Sequence, residues 1–216
     1  ILAGSAAEGD DDLLVKFIDE GELTNEEIVK GLQIAFRNNR IVAEFAGVPL
    51  KNSGLVSVLN FINTIAPDPT YSLESATSDT DERITVKFNP DEDMKALVVK
   101  TSSDQFSGKL SYIKVITGKL TSDSEVFNIQ SDKKEKIGKL YRTIGKKLEE
   151  VKVLNAGDIG IAVKLPVAKT SDTLSSNAST LPFIKLRHPE PVYAMAVSAK
   201  DKKEEDKMSE MLSKFA

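Results

Sequence analysis

Among the residues able to carry chemistry, lysine is abundant and clustered, while histidine and cysteine are almost missing. The 216 residues include one His and no Cys, which excludes disulfides, Cys-ligated zinc, a thiol nucleophile and a multi-histidine metal site. The single imidazole, His188, stands in the linker-like run Arg187-His188-Pro189-Glu190 and gives a Ser-His-Asp triad no evident home. Asp10, Asp11 and Asp12 could ligate a cation, but no other ligand lies near them. Acids ahead of an apolar stripe suit a helix N-terminus, where free N–H groups and the dipole favour negative charge. No phosphate loop of the form G-x-x-x-x-G-K-[ST] occurs, and no nucleophile is placed beside a base. The chemistry that remains is binding. Lys133-Lys134-Glu135-Lys136-Ile137-Gly138-Lys139-Leu140-Tyr141-Arg142, continuing to Lys146 and Lys147, gathers positive charge in a chain of net charge −4. On residues alone such a run reads equally as a patch for a phosphate backbone or as a solvated hairpin.

The elements that would position this run are strands. Between Lys95 and Val167 apolar residues come in short runs: Ala96 to Val99, Leu110 to Ile116, Glu125 to Ile129, and Ile159 to Leu165. Runs of roughly four to eight such residues, broken by Gly, Asn or Asp, are the mark of all-β packing in a small barrel. Thr117-Gly118 ends one run and Asp123-Ser124 precedes the next, which predicts a tight reversal between two strands.

The N-terminal part reads differently. Gly4, Ser5 and Gly9 suggest a flexible start, followed by a helix after Asp10 to Asp12. Thr24-Asn25-Glu26-Glu27 is a capping box, with Ile28, Leu32, Ala35 and Phe36 on one face of the helix it opens. Ile41 to Ala46 is strand-like, and Gly47 to Asn52 is a loop. Ser53 is placed to cap a helix bearing Leu55, Val58, Leu59 and Ile62, which ends at Pro67 and Pro69. Asp68 to Arg83 is polar and acid-rich, as a linker or mobile loop would be. Asn89-Pro90-Asp91 is a turn. After Pro189 and Pro191, Val192 to Val197 alternates as a strand, and Asp201 to Phe215 forms a helix with Met208, Met211, Leu212 and Phe215 on one face. No run approaches the ~20 apolar residues of a membrane span, and there is no signal peptide, so the chain is expected to be cytoplasmic. Opening on Ile1, it reads as part of something longer.

Five phrases in register carry a resemblance: Phe106-Ser107-Gly108-Lys109-Leu110, Val115-Ile116-Thr117-Gly118-Lys119-Leu120, Ile137-Gly138-Lys139-Leu140, Ala156-Gly157-Asp158-Ile159, and Ser171-Asp172-Thr173-Leu174. Their order and separation resemble domain II of the elongation factor G family of translational GTPases. Gly21-Glu22-Leu23-Thr24-Asn25-Glu26-Glu27-Ile28 is similar to the family phrase late in its nucleotide-binding domain. Residues 192–215 resemble the opening strand and helix of domain III. The implied architecture is multi-domain α and β, with a central six-stranded or similar antiparallel β-barrel flanked by two incomplete domains. In residue terms, 1–67 would be the end of a GTP-binding α/β domain, 68–84 a linker, 85–188 the barrel, and 189–216 the start of an α+β domain.

The resemblance also assigns sites. Gly47, Val48, Pro49 and Lys51 fall in the loop that in the family offers backbone N–H groups to guanine. Val48-Pro49 replaces the family's Ser-Ala and removes one donor, because proline has no N–H. Lys136, Lys139, Arg142, Lys146 and Lys147 would contact small-subunit ribosomal RNA, although Lys146 and Leu148 stand where the family has Asn and Arg. The family's phosphate loop, switch and base-reading motif would lie before residue 1. This chain alone is therefore expected to bind rather than to catalyse, with GTP and Mg2+ belonging to the full-length parent, itself a GTPase of translocation. Two alternatives stay open: a paralogue serving ribosome recycling or rescue, and a barrel module binding a non-ribosomal protein or small ligand.

Overall fold

A computed structural model describes residues 2–71, 73–77, 82–104, 108–145, 147–185 and 189–215. Phe106, Ser107, Lys146 and His188 lie outside the described residues, as do Ser72 and residues 78–81 of the expected linker. The chain divides into two compact units, Ile1–Tyr71 and Ser72–Ala216.

The first unit is helical. Helix α1 (Leu2–Ala7) occupies the stretch expected to be flexible, because its small residues let it approach helix α3 (Asn25–Arg37) closely. Ala6, Ala7 and Ala35 are buried, and a Cβ on Gly31 would meet the carbonyl and side chain of Ala6. Helix α2 (Asp11–Glu20) starts as its acids require, with the Asp10 carboxylate accepting the N–H groups of Asp12 and Leu13. The capping box of α3 is complete: Thr24 Oγ1 accepts the Glu27 N–H, and Glu27 Oε2 accepts the Thr24 N–H at 2.9 Å. Helix α4 (Leu55–Thr64) is entered through Gly54 in the left-handed region with no side-chain cap, so Ser53 does not play the capping role its type suggested. Residues 41–47 form no strand, since a strand needs a hydrogen-bonding neighbour and none pairs with them among the described residues. Phe61 of α4 instead packs edge-on against Phe36 and Phe45.

The second unit is built on antiparallel strands. Strand β1 (Leu73–Thr77), within the expected linker, pairs with β2 (Arg83–Lys87), which runs from the end of that linker into the expected barrel. The polar composition there hid a period-2 pattern: Ala76 and Val86 pack with Leu97, Ile116 and Phe183. The main sheet uses β3 (Lys95–Asp104), β4 (Gly108–Thr117), β6 (Glu125–Asn128), β7 (Lys133–Lys136), β8 (Leu140–Ile144), β9 (Lys147–Val151), β11 (Ile159–Val163) and β12 (Thr173–Ser175). Their order is β7-β6-β12-β3-β4-β11-β8-β9, and all of these pairs are antiparallel. Strands β5 (Lys119–Thr121) and β10 (Val153–Asn155) form a separate pair. The strands on either side of the turn at Asp123 therefore pair with others rather than with each other. Against the expectation of six strands or a similar number, the main sheet has 8 among the described residues.

That order forces the sheet to curl. On a flat sheet β7 and β8 would lie about 29 Å apart at the usual spacing. Yet only Ile137, Gly138 and Lys139 join them, a link that spans about 15 Å at most. The concave side encloses Val98, Ile113, Val115, Leu120, Val126, Ile137, Leu140, Leu154, Leu165 and Leu174. The turn that starts this core is tightly specified. Gly118 has φ +66°, its N–H donates to the Asn89 carbonyl at 2.9 Å, and an added Cβ would sit 2.5 Å from the Glu92 carbonyl oxygen.

Beyond the sheet, residues 192–197 form no strand and are exposed, with Val192 wholly so. Their alternation is real but finds no edge to pair with among the described residues. Helix α5 (Lys202–Phe215) forms as expected, with Met211 and Leu212 more than half exposed. No helix among the described residues is long and apolar enough to cross a membrane.

Candidate nucleic-acid interface

The basic run folds as an edge strand, a short link and a hairpin. Strand β7 is one edge of the main sheet and β9 the other. Lys136 sits on β7 opposite Glu125, while Lys134 on the same strand lies 5.0 Å from the Phe127 ring centroid. Lys147 opens β9 opposite Ile144, after a turn at Gly145 with φ +62°. Among the described residues neither Lys136 nor Lys147 makes an ion pair, and both are exposed.

Two further cations of the run are already engaged. Lys139 Nζ lies 2.7 Å from Glu150 Oε2, and that bond raises the lysine's pKa. Arg142 Nη2 lies 2.6 Å from Asp158 Oδ2, an oxygen that also accepts the Asn155 N–H. The Lys139 pair is largely solvated and exchanges for a phosphate at little cost, while the Arg142 pair is only partly exposed. Still, the run offers less free charge than its composition implies.

Sequence reasoning missed Glu135. In the middle of the lysines it points inward, being 5% exposed, because strand alternation puts it and Ile137 on the core side. Its Oε1 accepts the Val167 N–H at 2.8 Å, and its Oε2 faces Asn128 Nδ2. That amide also donates to Asp172 Oδ2 at 2.8 Å, and Asp172 Oδ2 accepts the Lys169 N–H. Asn128 thus bridges two carboxylates and ties the 165–172 loop to β6 and β7. Burial nearby lowers the pKa of Lys109, whose Nζ donates to the Pro166 carbonyl. The available signal was the period of two through Val126, Asn128, Glu135 and Ile137.

The loop expected to read guanine is closed on itself. The Val48 N–H donates to the Ser53 carbonyl at 3.0 Å, and the Ser53 N–H returns to Val48 at 3.2 Å. Pro49 to Lys51 form a single 3-10 turn, with the Lys51 N–H bonded to Val48. Gly47 packs against Ser53, where a Cβ would meet its carbonyl at 2.8 Å. Of the named donors, Val48 is spent internally and Pro49 has none to give.

The antiparallel sheet, curled on one apolar core with exposed cations on its edge strands and turns, has a fold like that of a translation-factor domain II. Residues 93–177 match the family described as elongation factor G domain 2. A solved protein from Thermus thermophilus is similar over 98% of this chain, with a TM-score of 0.77 and 23% identity, which is a likeness of fold. The chain spans 30% of that protein's length.

Proposed function

We propose that the chain is the central part of an elongation-factor-G-like translational GTPase whose domain II docks on small-subunit ribosomal RNA. The observation that carries this is the family match at residues 93–177. In that reading the curled sheet closes as a barrel over 85–188. Residues 1–67 end the GTP-binding domain, and 189–216 begin domain III. The whole protein would be cytoplasmic and would couple nucleotide state to translocation. The residues present do not form a nucleotide site: the sequence has no phosphate loop, and the N–H of Val48 is used within its own turn. No step is therefore routed through GTP or Mg2+. What this chain supplies is an electrostatic surface, with Lys136 and Lys147 free to meet phosphates and Lys139 and Arg142 exchanging a carboxylate for one.

The pairing of Lys139 with Glu150 and of Arg142 with Asp158 favours one competing reading, a barrel that binds a protein or small ligand away from the ribosome. The departures at Val48-Pro49 and Lys146 favour another, a paralogue of recycling or rescue. Co-sedimentation of the full chain with purified small ribosomal subunits over a salt series separates RNA docking from the first. Binding is expected to weaken steeply with salt, and Lys136, Lys139, Lys146 and Lys147 each changed to Glu should abolish it. Removing a single lysine–phosphate interaction should flatten the log–log slope by about 0.7 to 0.9. Binding indifferent to the reversal, or absent at low salt, sinks the proposal.

A further inference from the structure

Helix α3 carries a second cationic surface, remote in sequence from the lysines of the sheet. Lys30, Gln33, Ile34 and Arg37 fall at i, i+3, i+4 and i+7, on one side of the helix. They line a cavity of about 360 Å³ whose other wall is Ile65, Ala66, Pro67, Asp68 and Tyr71, the segment leaving α4. That volume falls within the range of small-ligand pockets. Gln33 Nε2 donates to the Thr64 carbonyl at 2.7 Å, fixing the two walls to each other. Its apolar lining includes Ile65, which is only 6% exposed.

Two cations and one acid line this cavity. The Arg37 guanidinium lies over the Tyr71 ring at 4.5 Å from its centroid and, among the described residues, forms no ion pair. Lys30 pairs, among the described residues, with the Asp10 carboxylate at the long distance of 3.9 Å. The lining acid, Asp68, directs its carboxylate to the Thr70 N–H at 2.8 Å and to the Thr70 hydroxyl rather than to either cation. Apolar lining from Ile65, Ala66 and Pro67, a half-exposed tyrosine already stacked with a guanidinium, and two cations on one helical stripe select a ligand with a flat ring and a phosphate. Aromatic and guanidinium planes stack any base without sequence preference, while the cations hold its phosphate.

We propose that this cavity on α3 binds a nucleoside monophosphate unit, either as a free nucleotide or as one residue of single-stranded RNA. The base lies against Tyr71 and Pro67, and the phosphate lies between Lys30 and Arg37. The site is independent of the ribosomal reading, since it lies on the helical unit and is probed without ribosomes.

The test is fluorescence polarisation of the full chain with a labelled hexauridylate RNA, alongside calorimetric titration with UMP, AMP and inorganic phosphate. Saturable binding of UMP and AMP is expected, with phosphate alone at least about tenfold weaker because it forgoes the stack. R37Q, whose side chain is exposed, and Y71L should each weaken nucleotide binding about tenfold. Y71F should retain it. Unchanged circular dichroism in R37Q shows that a loss is not unfolding. RNA bound much more tightly than UMP, with both sensitive to R37Q, assigns the site to RNA. Equal affinity assigns it to free nucleotide. Nucleotide binding unaffected by R37Q and Y71L, no binding at millimolar nucleotide, or phosphate binding as well as UMP overturns the proposal.

Discussion

At the scale of single residues, two positions convert local chemistry into stability. Glu27 accepts from Lys16 Nζ at 2.7 Å and from the Thr24 N–H, and these bonds, the lysine's first, pull its pKa from 4.5 to about 2. The folded-state value lies below the unfolded one. The contribution is therefore whole above about pH 4.5 and is lost as pH falls towards 2. An NMR titration of the Glu27 carboxyl should find a midpoint well below 4.5, moving up in Lys16→Met. Thr24→Ala removes the acceptor for the Glu27 N–H and should cost about 1 kcal/mol in urea unfolding. Gly118 is the sharper case. A side chain there is both in the left-handed region and driven into Glu92 and Met94, so Gly118→Ala should cost about 2 to 4 kcal/mol. A loss under about 1 kcal/mol would mean that the turn relaxes freely.

At the scale of elements, Asn128 joins β6, β7 and the loop before β12 by side-chain hydrogen bonds, beside the apolar contacts of Val126, Leu165 and Leu174. Its amide is the shared donor to Glu135 and Asp172, and all three are buried. Asn128→Ala should destabilise by roughly 2 to 3 kcal/mol, because two buried carboxylates lose their common donor. Asn128→Asp should cost more at neutral pH, since it sets a third carboxylate beside two. The extra cost should shrink as pH falls and the new acid takes up a proton. Thermal melts of both variants at pH 7 and pH 4.5 check this. Equal melting of the two at pH 7 would show that the buried network tolerates the added charge. Helix α4 presents the opposite case: Val56, Leu59 and Ile62 form an apolar face left more than half exposed, so its sequence pattern exceeds the burial it receives.

At the scale of the whole molecule, the two units have unequal cores. The helical unit buries mainly Ala6, Ala7, Leu13, Ala35 and Ile65, whereas the sheet encloses a continuous apolar cluster of larger side chains. Hydrophobic stabilisation follows the area removed from water. Heating should therefore melt the helical signal at 222 nm before the sheet, and hydrogen exchange should protect β3, β4 and β11 longest. A single coincident transition would contradict this order. The caps of α2 and α3, the C-terminal helix, the all-β character of the centre and the family phrases matched over residues 93–177 were legible in the bare chain, since each depends on neighbours a few residues apart. Long-range folding was needed to show that 73–87 pairs as strands while 41–47 and 192–197 do not, that Glu135 turns inward, and that Lys139 and Arg142 are already held by carboxylates. A strand exists only where a distant segment supplies its hydrogen bonds, and a charge is free only where no acid folds back onto it. Both depend on contacts between residues far apart in the chain.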